Sequence, residues 1–143
     1  MMAFKNSTLF RDHVKIGKAS IKGEHRARIK ESKNNKVLES LDFDRTSTIR
    51  QLNPSSKRWD YFLSTSTEPN RLLALEVHQF KAVELRQKKE GTKKILAKHC
   101  PQALDEITGW HVIVTGDIRS DQAARFSADS GIKLHRTLVL SQR

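Results

Sequence analysis

An acidic and a basic side chain stand two residues apart at the end of an apolar segment, as Glu76 and His78. The segment 71–78 alternates in the manner of a strand, so Ala74, Glu76 and His78 share one face. Ionisable groups on a mostly apolar strand cost free energy when buried, unless a partner or a function compensates. Glu76 and His78 are therefore candidate catalytic residues.

A second carboxylate is expected beside Glu76. Residues 58–64 are rich in aromatic side chains and predict a strand, which the turn at 67–70 makes antiparallel to 71–78. In such a hairpin Asp60 faces Glu76 across the sheet. Two converging carboxylates repel each other, and Mg²⁺ or Mn²⁺ stabilises them because such cations prefer oxygen ligands. The ion then polarises a phosphate oxygen and activates water, which is the chemistry of phosphodiester hydrolysis.

The same residues also have a plainer interpretation. Glu76 and His78 are ordinary on the exposed face of a hairpin, where alternation places polar side chains. Asp60 is also placed to pair with Arg58 or Arg71. On this interpretation the strand pair carries no chemistry.

The elements around this hairpin predict an α/β fold, a single domain with a central mixed sheet flanked by helices. The elements predicted besides the hairpin are a helix over 24–41, a loop over 42–56, a helix over 81–99 ended by Pro101, a strand over 110–115, a helix from Ser120 to Gly131 and a strand over 132–140. Helices between the later strands predict parallel crossovers. Residues 1–23 are predicted as an N-terminal extension of a domain that covers 24–143.

The charge of the chain favours a polyanionic partner. Its 143 residues carry a net charge of +11, and proteins that neutralise phosphates are usually basic. We expect nucleic acid rather than a membrane surface, because no strongly amphipathic helix with aromatic anchors is visible. The side chains expected to contact it are Arg26, Arg28, Arg71, Lys81, Lys89 and Lys93.

Composition excludes several other classes of protein. The one cysteine, Cys100, permits no internal disulfide and no cysteine-rich zinc site. No apolar run approaches the length of a membrane-spanning helix. The N-terminal sequence lacks the apolar segment of a secretory signal, so we expect a cytoplasmic location. The sequence leaves homo-oligomerisation open.

Asp60, the turn and the sequence Glu76-Val77-His78 resemble the motif of the PD-(D/E)XK nucleases. Over about residues 24–140, the predicted element order resembles the αβββαβ core of that restriction-endonuclease-like superfamily. The resemblance implies metal-dependent cleavage of DNA, or less often RNA, with Asp60 and Glu76 as metal ligands. It also implies a third ligand, since Glu39 would match the acidic residue that some members add from the first helix.

Two positions depart from the family's motif. Trp59 stands where the family has proline, and His78 stands where it has a lysine. A neutral histidine replaces that lysine partly as a base, but it supplies no permanent positive charge at pH 7. A lysine from the next helix would compensate, and the options are Lys81, Lys88 and Lys89.

Two other functions remain open from the sequence. One is a non-catalytic basic module of the same fold, which binds the nucleic-acid backbone without cutting it. The other is a metal-independent ribonuclease, in which His78, His111 and Glu76 act as acid and base at the ribose 2′-hydroxyl. That alternative requires the strand of His111 to lie beside the strand of His78.

Overall fold

Six strands form the central sheet in a computed structural model that describes residues 1–52 and 57–141. The strands of the described residues are β1 (Val14–Ile16), β2 (Ile29–Lys30), β3 (Val37–Asp42), β4 (Tyr61–Thr65), β5 (Leu72–His78), β6 (Ile107–Val114), β7 (Ile132–His135) and β8 (Leu138–Val139). Their α-helices are α1 (Met2–Lys5), α2 (Gly23–Arg26), α3 (Ser47–Leu52), α4 (Ala82–His99), α5 (Pro101–Glu106) and α6 (Ser120–Ser130), and a 3₁₀ turn covers Arg11–His13. The protein is one α/β domain with a mixed sheet flanked by helices, as its sequence predicts.

The central sheet has the order β1-β3-β4-β5-β6-β7. Neighbours from β1 to β5 are antiparallel, whereas β5, β6 and β7 are parallel to one another. β4 and β5 form the predicted hairpin, with Phe62 opposite Ala74. α4 and α6 make the crossovers between the parallel strands, so the predicted crossovers are confirmed.

The predicted helix over 24–41 is wrong. α2 ends at Arg26, and β3 begins at Val37, so Glu39 lies on a strand. β3 pairs with β1 on one side and β4 on the other, and Val37 and Leu41 are buried there. Pairing on both edges outweighs the weak helical pattern of the segment.

Two further boundaries differ from the sequence prediction. The expected loop over 42–56 contains α3, and its residues 53–56 lie outside the described residues. The strand predicted over 132–140 is divided, because β8 leaves the central sheet and pairs in parallel with β2. Pro101 ends α4 as predicted, and it also occupies the first turn of α5.

The two faces of the sheet carry separate apolar clusters. Phe62 and Ala74 point to the side covered by α1, α4, α5 and α6. Leu63 and Leu75 point to the other side, which the small sheet of β2 and β8 covers. Alternation along β5 then places Glu76 on the helical side.

Residues 1–23, expected as an extension, are packed into the domain. Phe4 and Phe10 are fully buried in the cluster of the helical side, with ring centroids 4.9 Å apart. β1 adds an edge strand to the central sheet. The described residues contain no helix of the length and apolarity needed to cross a membrane.

The chain that leads into β4 lies very close to α4. A Cβ atom at Gly91 would overlap the carbonyl oxygen of Lys57. Beside it, the Thr92 hydroxyl oxygen accepts a buried hydrogen bond from the Trp59 N–H at 2.8 Å. The helix runs through Gly91, so the glycine permits a close approach that positions the residue after Trp59, Asp60.

Candidate active site

Asp60 and Glu76 lie side by side, as the predicted hairpin requires. Asp60 directly precedes β4, and Glu76 lies on β5. The Asp60 N–H donates to Glu76 Oε1 at 2.9 Å, and the Val77 N–H donates to Asp60 Oδ2 at 3.1 Å. Each carboxylate is held by the backbone of the opposite strand, so the pair is fixed before any ligand arrives.

Lys88 reaches the same point from α4. Its Nζ donates to Glu76 Oε2 at 2.6 Å, and the Glu76 side chain is fully shielded from water. The other two lysines that the sequence offered for this role lie elsewhere. Lys89 Nζ donates to the Ser130 carbonyl at 3.0 Å, and Lys81 is exposed before the helix begins.

His78 lies on the predicted face of β5 without a hydrogen bond to Glu76 or Asp60. Its Nδ1 lies 2.7 Å from the Gln79 carbonyl oxygen, which only accepts, so Nδ1 carries a proton. Its Nε2 lies 3.6 Å from Glu84 Oε1 on the first turn of α4. His78 therefore joins β5 to α4, and Lys88 is the cation that meets the carboxylates.

Charged residues of the segment after β3 border the site and were missed in the sequence. Asp42 ends β3, and Asp44 follows it. The N–H groups of Phe43 and Asp44 donate to the Asp60 carbonyl at 2.8 and 3.3 Å. Arg58 Nε and Nη2 each lie 3.1 Å from Asp44 Oδ1. The alternation of Asp42 and Asp44 with apolar neighbours is the strand signal that would have shown them.

Two predicted site residues are not brought to these carboxylates. Glu39, expected as a third metal ligand, lies opposite Ser64, and its Oε2 is 3.1 Å from Lys5 Nζ. Arg71 precedes β5, whose other end carries the site, and it donates to the Asp105 carbonyl at 3.3 Å. Neither residue contacts Asp60 or Glu76.

Basic side chains approach the site from the other face of the sheet through α2. His25 Nδ1 lies 2.7 Å from the hydroxyl of Tyr61, the residue after Asp60. Burial raises the pKa of Asp60, and the nearby imidazole of His25 acts weakly against that rise. Five of the six expected phosphate contacts are exposed to solvent, namely Arg26, Arg28, Arg71, Lys81 and Lys93, and Lys89 is half-buried.

The carboxyl groups of the site resist ionisation. Burial raises the pKa of Glu76 to about 8, and the charge of Asp60 adds to this effect. Burial also raises the pKa values of Asp60 and Asp42. Burial opposes the charge of Lys88, but Glu76 and Asp60 outweigh it, so the pKa of Lys88 is raised. The site therefore favours the entry of positive charge.

The site offers few side chains that could act as metal ligands. Within residues 1–52 and 57–141, no three histidine, cysteine, aspartate or glutamate side chains form a group that could hold a metal ion. Mg²⁺ in phosphate-processing sites is often held by one or two carboxylates together with water and substrate phosphate. Asp60 and Glu76 fit that requirement, because they are adjacent, Glu76 is buried and Asp60 half-buried, and burial raises the pKa of both carboxyl groups.

The strands of His78 and His111 are neighbours, but the two side chains lie on opposite faces. His111 is opposite Leu75, which faces the small sheet, and its Nδ1 is 2.9 Å from His135 Nε2. Burial lowers the pKa of His111 to about 4, so this imidazole is neutral at pH 7. The histidine pair that the ribonuclease alternative needs is not brought together.

The comparisons with known proteins were negative. Family models, curated proteins and solved structures contained no match to this chain. The geometry of Asp60, Glu76 and Lys88 is therefore the guide to function.

We expect Glu76 to reduce the stability of the metal-free protein as the pH rises. The folded protein holds a proton on Glu76 up to about pH 8, whereas the ordinary pKa is 4.5. The stability that the protonated Glu76 allows is fully present below its ordinary pKa of 4.5, and it is lost as the pH rises through its folded-state pKa of about 8. Glu76→Gln removes the titration and keeps an acceptor for Lys88, so the variant should lose less stability between these values.

Urea unfolding in EDTA at roughly pH 5, 7 and 9 measures the difference in unfolding free energy. Glu90→Gln is the matched control, because Glu90 is 61% exposed on the same helix as Lys88. The control should follow the wild type. Parallel pH curves for wild type and Glu76→Gln would contradict the prediction.

Proposed function

We propose that this protein is a metal-dependent nuclease that hydrolyses phosphodiester bonds at Asp60, Glu76 and Lys88. The observation that carries the proposal is the convergence of the buried carboxylate of Glu76, the half-buried carboxylate of Asp60 and the ammonium group of Lys88 at a single point. Groups with displaced pKa values that converge in this way are typical of catalytic sites.

Asp60 and Glu76 would hold a Mg²⁺ or Mn²⁺ ion. Such an ion, when bound, polarises a phosphate oxygen and lowers the pKa of a bound water. The two carboxylates must be ionised for this, so the raised pKa of Glu76 makes metal affinity increase with pH up to about 8. The N–H groups of Asp60 and Val77 keep the carboxylates in place for the incoming ion.

Lys88 supplies the permanent positive charge that His78 cannot. Its ammonium group is bonded to Glu76, so it stands beside the place where water and phosphate would meet. A fixed cation there stabilises the charge that develops on the phosphate in the transition state. This assignment follows the resemblance to PD-(D/E)XK nucleases, with the lysine supplied by α4 and not by β5.

The order of elements also supports the proposal. β3, β4, β5, α4 and β6 occur in the order βββαβ that the resemblance implies after its first helix, with the short helices α3 and α5 inserted before β4 and before β6. Asp60 precedes the second of these strands, and Glu76 lies on the third. Only α2, four residues long, stands near the place of the expected first helix.

The net charge of +11 supports a polyanionic substrate. Arg26 and Arg28 near α2 and Lys81 before α4 are exposed on the two sides of the site. Nucleic acid is the polyanion whose backbone offers the phosphodiester bonds that the site would hydrolyse. DNA is the first choice of substrate and RNA the second.

Cleavage of labelled duplex DNA, single-stranded DNA and RNA tests the proposal. We expect cutting in Mg²⁺ or Mn²⁺, none in EDTA, and a loss of about 10³-fold or more in Asp60→Asn. Asp105→Asn is the matched control, because Asp105 is exposed on α5, at the end of the sheet opposite the carboxylate pair.

Two outcomes would overturn the proposal. Salt-sensitive binding without cutting in any metal would indicate the non-catalytic module. Cutting of RNA alone that persists in EDTA would indicate a metal-independent ribonuclease.

A further inference from the structure

A small cavity lies at the edge of the sheet that carries the proposed active site. It opens between the first turns of α4 and the side of α6, has a volume of about 190 Å³ and is lined mainly by Phe80, Arg86, Arg125 and Phe126. Both helices begin where β5 and β6 end, and ligands of α/β proteins bind at this edge of the sheet. The cavity is therefore next to the end of β5.

The distance along α4 between this cavity and the carboxylates is short. His78, two residues before Phe80, contacts Glu84 on the first turn of α4. Arg86 and Lys88 are two residues apart on this helix, so they project from different sides of it: Arg86 lies over Phe126 of α6, and Lys88 contacts Glu76 of β5. A strand that places a phosphate at Lys88 would reach the cavity by crossing the first turns of α4.

The floor of the cavity is aromatic. The Phe80 and Phe126 rings have centroids 5.2 Å apart and are nearly perpendicular, at 88°. Arg86 Cζ lies 5.4 Å from the centroid of Phe126. Aromatic rings and arginine planes are the surfaces on which unpaired bases stack in proteins that bind single strands.

The rim of the cavity is positively charged. Arg86 and Arg125 are exposed, and neither forms an ion pair with a carboxylate of the described residues. Asp129 also lines the cavity, so two positively charged guanidinium groups and one negatively charged carboxylate surround it. The phosphate groups on either side of a base in the cavity would therefore be attracted by the positive charge of Arg86 and Arg125.

We infer that this cavity receives an unpaired base, so the substrate is single-stranded nucleic acid or a duplex with a flap or overhang. The inference rests on the proposed function, because it places the base beside the proposed site of cleavage. A base within a duplex is paired and stacked on both sides, and it reaches a cavity only after extrusion. The substrate class is thereby narrowed to nucleic acid with unpaired nucleotides.

Binding without divalent metal tests this inference separately from cleavage. The probes are DNA and RNA single strands of about 12 nucleotides and blunt duplexes of equal length, followed by anisotropy in EDTA. Simple attraction to phosphate favours the duplex, which has the higher charge density. We expect the single strands to bind about 5- to 100-fold more tightly, the range of one stacked base.

The aromatic floor is tested with Phe80. Phe80→Leu keeps an apolar side chain, so the fold is retained, and it should weaken single-strand binding about 5- to 100-fold while duplex binding stays the same. Phe80→Trp should restore the affinity. Lys98→Gln removes one exposed charge at the far end of α4 and should leave the single-strand preference unchanged. A 2-aminopurine base in the strand should be quenched by wild type and not by Phe80→Leu.

Equal affinity of the wild type for single strand and duplex would overturn the inference. An equal loss of affinity for both probes in Phe80→Leu would also overturn it. These failures are distinguishable from failure of the proposed function. Single-strand binding that depends on Phe80, without cleavage in Mg²⁺, would leave the base cavity and remove the nuclease. Metal-dependent cleavage of blunt duplex, without a preference for single strands in binding, would support the nuclease and remove the base cavity.

Discussion

Lys88→Met is expected to reduce Mg²⁺-dependent cleavage by about 10²- to 10³-fold. The substitution keeps the aliphatic length of the side chain and removes the ammonium group that lies 2.6 Å from Glu76 Oε2. Two effects then combine. The phosphate loses a fixed cation, and Glu76 loses the charge that favours its ionised form, so more metal-free protein carries a proton on this ligand.

Single-turnover cleavage rates measured from about pH 6 to pH 10 separate these two effects. The pH at which the rate reaches half its maximum should rise in Lys88→Met, because Glu76 ionises only at higher pH. Lys88→Arg should show a smaller loss, since it keeps the charge and changes the shape of the cation. Lys98→Met controls for the loss of a lysine from α4.

The same shift can be followed without any cleavage. Loss of a partner from a buried ion pair destabilises a protein by about 3–5 kcal/mol when the remaining charge stays ionised. Lys88→Met should therefore unfold more easily at a pH above the pKa of Glu76, which this substitution raises further, than at a lower pH, where Glu76 keeps its proton. An unchanged rate together with an unchanged pH profile would remove Lys88 from the site.

Gly91→Ala is expected to destabilise the protein by about 2–4 kcal/mol, although alanine is the better helix former by about 1 kcal/mol. The reason is the overlap of the new Cβ with the Lys57 carbonyl, which is backbone and cannot rotate away. The segment must retreat from α4, and the hydrogen bond from the Trp59 N–H to the Thr92 hydroxyl is strained or broken.

Because that segment leads directly to Asp60, the substitution should also displace the carboxylate pair and reduce cleavage. Chemical denaturation measures the stability, and cleavage at low temperature, where the variant is folded, measures the site. Gly23→Ala is the matched control, because a Cβ at Gly23 meets no atom within 4 Å. It should leave both unchanged, and a stabilised Gly91→Ala would show that the close approach is absent in solution.

The sequence predicted the half of the fold in which local pattern and burial agree. The apolar alternation of 71–78, the turn before it and the long basic helix are each visible in a short window. The segment 24–41 failed because Val37 and Leu41 are buried by strands distant in sequence, β1 and β4. A four-residue spacing of apolar side chains does not reveal those partners.

The difference between local and long-range contacts also explains how much of the site was predictable. Asp60 and Glu76 follow from a hairpin of known turn, since the register brings them together. Lys88 was one of three lysines, and the rotation of α4 on the sheet selects it. Asp42 and Asp44 were missed because the strand before them was assigned to a helix. The site residues that depend on long-range pairing were thus the hardest to find.

The pairing of β2 with β8 has a consequence for synthesis on the ribosome. It joins Ile29 to Leu138, more than a hundred residues later, and Asn35 nearby donates to the Ser141 carbonyl across 106 residues. The contacts between β4 and β5 are local, so this hairpin can form transiently on the nascent chain before β8 has been made. Leu63 and Leu75 gain their full cover only when β8 arrives. That face of the sheet therefore stays open to chaperones, or to other unfinished chains, until β8 has been synthesised.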